Sequence, residues 1–85
     1  MRFENKVVII TGAAGGIGKE VARKLAGEGA KLTLVDLNET AVKAVAEELN
    51  LSEDRVLTLK ADVSKEVEVK NYVDQTVEKF GRIDG

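Results

Sequence analysis

Val7-Val8-Ile9-Ile10-Thr11-Gly12-Ala13-Ala14-Gly15-Gly16-Ile17-Gly18 lies near the start of an 85-residue chain, and its reading decides the fold. An apolar, β-branched run of strand length ends in glycines, and beyond them apolar residues recur at helical spacing. The order is strand, tight turn, helix N-terminus. The first N–H groups of a helix have no partner within it and sit at the positive end of its dipole, so such a turn can receive a phosphate. Glycine at 12 would permit positive φ, at 16 would let a pyrophosphate reach the backbone, and at 18 would let the helix lie close to its strand. Four glycines in seven residues also suit a plain flexible loop, and G-x-x-x-G-x-G is not the common G-x-G-x-x-G spacing. The flanking residues decide between the two.

Upstream, Met1 to Asn5 is a lead-in, and Lys6 to Thr11 reads as a strand of a parallel sheet because its centre is continuously apolar. Downstream, the first helix runs from Gly16 with Ile17, Val21, Ala22, Leu25 and Ala26 inward and Lys19, Glu20, Arg23, Lys24 and Glu28 outward, until Gly29 stops it. Lys31 to Val35 is a second strand ending in Asp36. Asn38 can cap a second helix with Val42, Val45, Ala46 and Leu49 on one face, closed by Asn50. Arg55 to Ala61 is a third strand. Ser64 can then cap a third helix with Val69, Val73, Thr76, Val77 and Phe80 inward, ended by Gly81. The sequence βαβαβα with short connections calls for three parallel strands and right-handed crossovers. The expectation is an α/β fold, half of a Rossmann-like doubly wound parallel sheet with strands in the order 3-2-1. The third helix should cross to the face opposite the first two; its docking, swapping onto a partner or fraying are left open.

Composition narrows the function. The 85 residues form one small domain able to bury about 60 to 65% of its unfolded surface, so its stability is marginal. A net charge of −2 with interspersed signs offers no basic stripe for nucleic acid and no polybasic membrane patch. The absence of cysteine removes thiolate and disulfide chemistry, and the absence of histidine removes the usual general base and metal ligand, so no metal site is assigned. Arg2 and Lys6 before the apolar run superficially resemble a signal peptide, but Glu4 intrudes and the solid apolar run is only Val7 to Ile10. No stretch approaches the roughly 20 apolar residues of a membrane span. A cytoplasmic location is expected.

Asp36 lies eighteen residues after Gly18 at the carboxyl end of the second strand. In a dinucleotide-binding βαβ unit an acidic residue there accepts hydrogen bonds from the adenosine ribose hydroxyls; on its own it would be a solvated strand-end carboxylate. The same charge repels a 2′-phosphate by about 1 kcal/mol at 4 Å in water and about 4 kcal/mol at an effective dielectric of 20. Its neighbours Gly15 and Leu37 supply no compensating cation, so NAD is expected over NADP.

These residues resemble the short-chain dehydrogenases/reductases. Thr11 to Gly18 match the T-G-x-x-x-G-x-G turn of that family, and Leu34-Val35-Asp36-Leu37, Asp62-Val63 and Phe80-Gly81-Arg82-Ile83-Asp84 follow at family-like spacings across almost the whole chain. The resemblance implies a cofactor site of Gly12, Ala14, Gly15, Gly16, Ile17, Gly18, Asp36, Leu37, Asp62 and Val63. In it, the Asp62 carboxylate would face the exocyclic amine of adenine and Val63 would pack on the ring. Read without the family, Asp62 is only a strand-end carboxylate before a helix. The resemblance further implies hydride exchange between NAD and an alcohol or carbonyl, with tyrosine as general acid or base and lysine lowering its pKa. The family's Asn-Asn-Ala-Gly strand end, its serine and its Tyr-x-x-x-Lys pair are not found in these 85 residues. Tyr72 is the only tyrosine and has Thr76 four places on, so it reads as packing and no catalytic residue is assigned. Residues 1–85 are therefore expected to be a dinucleotide-binding half-domain, the amino-terminal portion of such an oxidoreductase and inactive alone. Two alternatives stay open. One is a free-standing NAD or adenine-nucleotide-binding module. The other is a dimerising fragment, in which the first strand, Val7 to Thr11, presents an open edge that pairs with its copy in a homodimer.

Overall fold

The computed structural model describes residues 3–85, so Met1 and Arg2 of the lead-in lie outside the described residues. Strands β1 (Val7–Thr11), β2 (Lys31–Asp36) and β3 (Val56–Lys60) alternate with helices α1 (Gly16–Gly27), α2 (Glu39–Leu49) and α3 (Glu66–Phe80), and a single 3₁₀ turn at Glu53–Arg55 leads into β3. All pairing is parallel, with β2 in the middle: Ile10 stands opposite Leu34, and Leu34 opposite Thr58. This is the expected 3-2-1 order. It puts the carboxyl ends of the strands, and with them Thr11, Asp36 and Lys60, along one rim.

Alternation along β2 divides the core between two faces, as the pleat requires. Leu32 and Leu34 are fully buried in a cluster with Ile10, Ala22, Val42 and Val45, beneath α1 and α2. Val35 faces the other way, into a smaller cluster with Ala61 and Tyr72, beneath α3. The third helix thus docks on the opposite face. Its fit there is partly polar: the Thr33 and Thr76 hydroxyls lie 2.9 Å apart with both residues fully buried. Thr76 Oγ1 also lies 2.7 Å from the Tyr72 carbonyl. A hydroxyl has one proton, so Thr76 donates to Tyr72 and accepts from Thr33, which satisfies both buried groups.

Several expected details change. Ile17 is 84% exposed and Val21 43%, so neither packs inward; α1 meets the sheet through Ala22, Leu25 and Ala26. Val77 is also exposed, because α3 turns Tyr72 and Thr76 toward β2 with Val69 and Val73 beside them. Ser64 does not cap α3. The helix begins after Lys65 with no side-chain cap, and the Ser64 hydroxyl is held instead by Asp62 two residues earlier. Asn38 and Asn50 finish α2 as expected, the former by accepting from the Ala41 N–H at 3.0 Å.

The free edge of β1 is not open along its whole length. Asp84 N–H donates to the Val7 carbonyl at 2.7 Å, Ile9 N–H donates to the Gly85 carbonyl at 2.9 Å, and the Asp84 carboxylate accepts from the Val7 N–H at 2.8 Å. The strand edge is thereby paired from Val7 as far as Ile9. The Val7 N–H, with help from Arg82, holds the Asp84 carboxyl below its usual range. Among the described residues, no helix is long and apolar enough to cross a membrane.

Candidate nucleotide site

At the rim, the turn between β1 and α1 is fixed from three sides. Gly15 N–H donates to the Gly12 carbonyl at 3.0 Å, Ala13 N–H to the Val35 carbonyl at 3.1 Å, and Ala14 N–H to Asp36 Oδ2 at 3.1 Å. Gly12 has φ +64°, a left-handed conformation that disfavours any side chain. At Gly18 the constraint is space: a Cβ would collide with the Gly12 carbonyl oxygen and stand 3.0 Å from Ala13 Cα. At Gly16 a Cβ would meet no atom within 4 Å, so its surface faces open space. The three glycines therefore differ in what they permit: a turn, an open approach and a close helix.

The N-terminus of α1 is bare. Gly15 provides no side-chain cap, and the first turn contains no acidic residue. The leading N–H groups of the helix, at Gly16, Ile17 and Gly18, have no acceptor within it. Their partial positive charge is left for an anion from outside.

Beside the turn, a shallow pocket of about 150 Å³ is lined by Gly12, Asp36, Leu37, Ala61, Asp62 and Val63. Five of the ten expected residues meet there: Gly12, Asp36, Leu37, Asp62 and Val63. The other five, Ala14, Gly15, Gly16, Ile17 and Gly18, form the adjoining turn and first helical turn. Leu37 and Val63 are 62% and 52% exposed, which leaves apolar surface at the mouth. Asp36 sits between the two parts, its other oxygen accepting from the Asn38 N–H at 3.0 Å. Asp62 Oδ1 accepts from the Ser64 N–H at 2.9 Å and from its hydroxyl at 2.6 Å. The Ser64 hydroxyl first, and then its N–H, hold the Asp62 carboxyl below its usual range. With Oδ1 so engaged, Oδ2 can accept from a ligand. Glu68 carboxylate in turn accepts from the Asp62 N–H at 2.8 Å.

Sequence reasoning missed Ala61, Ser64 and Glu68 as parts of this site. A small residue just before Asp62, and a serine and an acid two and six places after it, were the available signals. A larger hollow of about 370 Å³ lies elsewhere, lined by residues of α2, β3 and α3 including Lys43, Glu47, Thr58 and Lys79. It contains none of the expected residues. There Lys79 Nζ donates to the Val56 carbonyl at 2.8 Å, occupying part of the outer edge of β3.

Comparison with known proteins agrees with the geometry. Residues 6–85 match the family described as short chain dehydrogenase. Levodione reductase of Leifsonia aquatica is 50% identical over 86 residues, a match covering 99% of this chain and 32% of that protein. Meso-2,3-butanediol dehydrogenase of Serratia marcescens is 44% identical over 84 residues, covering 99% of this chain and 33% of that protein. A crystal structure of a short chain dehydrogenase/reductase from Burkholderia phymatum in complex with NAD superimposes with a TM-score of 0.89 at 35% identity, covering 98% of this chain and 30% of that one. The chain spans about a third of the length of the curated relatives it matches.

Proposed function

The chain belongs to the short-chain dehydrogenase family, and from that premise we propose that residues 1–85 are its dinucleotide-binding half-domain and hold NAD. One observation carries the reading: the bare N-terminus of α1 adjoins a pocket that gathers Gly12, Asp36, Leu37, Asp62 and Val63. A pocket of about 150 Å³ is too small for a whole dinucleotide and suits one base with its sugar at the rim. The phosphates belong outside it, on the exposed turn.

In this reading the backbone from Gly12 through Ala14, Gly15, Gly16, Ile17 and Gly18 receives the pyrophosphate. Asp36 accepts from the ribose hydroxyls, Asp62 accepts from the exocyclic amine of adenine, and Leu37 and Val63 flank the ring. Asp36 disfavours a 2′-phosphate by like-charge repulsion. The protein that carries this half-domain is an oxidoreductase acting on an alcohol or carbonyl substrate, and bound NAD supplies the hydride acceptor or donor. These residues contribute binding and orientation; Tyr72, on α3, is buried against Val35 and Ala61 and does not line the rim pocket.

Calorimetric titration of the 85-residue chain tests this. NAD should bind saturably and more tightly than NADP, and Asp36→Ala should narrow the difference between them. Equal binding of the two by the unaltered chain would overturn the assignment of Asp36. Association into a homodimer along β1 is the second reading, and the pairing of Asp84 and Gly85 with Val7 and Ile9 counts against it. Such a dimer has to displace Asp84 and Gly85 from Val7 and Ile9. A monomeric mass by light scattering at high concentration would rule it out.

A further inference from the structure

Asp36 accepts two backbone N–H groups from two different segments, and neither bond involves a ligand. Oδ2 takes the N–H of Ala14, 22 residues earlier and in the middle of the glycine turn, at 3.1 Å. Oδ1 takes the N–H of Asn38, at the start of α2, at 3.0 Å. The same residue that Coulomb repulsion makes a selector of cofactor is therefore also a strut.

We propose that Asp36 is a positioning residue for the phosphate site: its carboxylate holds the β1–α1 turn in its anion-receiving form before any nucleotide arrives. This rests on reading the turn as a pyrophosphate site. The Ala13 N–H to Val35 carbonyl bond anchors one residue of the turn to β2 through main chain alone. Among the described residues Ala14 has no such main-chain partner and is held by the carboxylate. With Ala14 fixed, Gly15 N–H closes on the Gly12 carbonyl and the leading N–H groups of α1 point outward together. A turn assembled in advance does not spend binding energy on ordering itself.

Each carboxylate oxygen has a second acceptor direction, so ribose hydroxyls can bind without breaking either strut. The two duties are separable by a probe that has phosphates and no ribose. They also oppose one another: removing the carboxylate should attract an anion by charge and repel it by loosening the turn.

Inorganic pyrophosphate titrations and amide hydrogen exchange on the unliganded chain, for the unaltered protein, Asp36→Ala and Asp36→Asn, decide the matter. A hydrogen bond to a charged group contributes about 1.5–3 kcal/mol, so exchange at Ala14 should quicken by at least about tenfold in Asp36→Ala while Ala13 stays protected. Pyrophosphate should bind several-fold more weakly, despite the lost negative charge. Asp36→Asn, with one acceptor oxygen in place of two, should fall between. Unchanged Ala14 exchange, or equal or tighter pyrophosphate binding by Asp36→Ala, would overturn the proposal and leave Asp36 to the ribose alone. If the unaltered chain binds no pyrophosphate, the phosphate reading of the turn fails, and the proposal with it. Ala14 exchange would then report only a structural tether, which distinguishes the two failures.

Discussion

The helices α1 and α2 begin at the same rim of the sheet and are finished in opposite ways. At α2 the chain fills its own N-terminus: Asn38 accepts from the Ala41 N–H, and Glu39 places a carboxylate in the first turn. At α1 it leaves the terminus empty, with glycine at the cap position and no acid in the first turn. A cap is worth about 1 kcal/mol and a first-turn acid about 0.3–1 kcal/mol. In a domain of this size that is a sizeable share of the total stability, about 0.05–0.15 kcal/mol per residue. A bare terminus is therefore a cost to folding, and α1 bears it where the pocket of Asp36 and Asp62 adjoins. α3 is intermediate, with no side-chain cap but with Glu66 and Glu68 in its first turn. The teaching is that stabilising a helix end and keeping it available to an outside anion exclude each other.

The sharpest way to test that contrast is through two glycines of the α1 turn. Gly18→Ala puts a methyl group against the Gly12 carbonyl. It should destabilise the chain by about 1–3 kcal/mol, seen as a lower urea midpoint, and abolish NAD binding. Gly16→Ala meets nothing within 4 Å. It should leave stability unchanged or raise it by up to about 1 kcal/mol, and yet weaken NAD binding by crowding the approach to the turn. Equal loss of stability in both variants would break the distinction between a glycine needed for packing and one needed for access.

Exchanging the character of the two termini gives the next largest effect. Asn38→Ala should cost about 1 kcal/mol by thermal denaturation and leave pyrophosphate binding unaltered. Ile17→Glu should do the reverse. Ile17 is 84% exposed, so a glutamate there displaces no core, adds an acid to the first turn of α1, and should stabilise by about 0.3–1 kcal/mol at low ionic strength. The new carboxylate should compete with pyrophosphate and weaken its binding. Stabilisation without weaker binding would show that the bare terminus is not where the anion sits.

How much of this was readable beforehand depends on how local the cause is. The strands, Asn38 as a cap and Gly12 as a turn residue follow from short-range rules of spacing and conformation, the strand order follows from the Rossmann-like topology, and all are found in the structure. The misplaced residues depend on distant neighbours. Ile17 and Val21 have the periodicity of a buried face, yet α1 meets the sheet through Ala22, Leu25 and Ala26 and leaves both exposed. Thr33 reads as a weak strand residue until Thr76, 43 positions away, supplies its partner. In the candidate site, Gly12 and Asp36 stand out in the sequence because backbone conformation and charge name them individually. The struts at Ala14 and Asp62 were not, since a backbone N–H leaves no mark in the sequence.

The third terminus separates from the second by acid. The cap of α2 is an amide and does not titrate, whereas the turn before α3 is closed by the Asp62 carboxylate. Hydrogen bonds from Ser64 hold the Asp62 carboxyl below its ordinary 3.8, with the nearby Lys65 charge acting in the same direction. A carboxyl lowered on folding contributes stability above its unfolded pKa and loses it as pH falls through the folded one. Acid should therefore release Ser64 from Asp62, which lines the pocket, while α2 keeps its cap. Following carboxyl and amide resonances from about pH 6 to about pH 2 checks this. The Ser64 amide should move with Asp62 at a midpoint below 3.8, and the Ala41 amide should not follow it. An Asp62 midpoint at or above 3.8 would mean that Ser64 does not hold the carboxylate in solution.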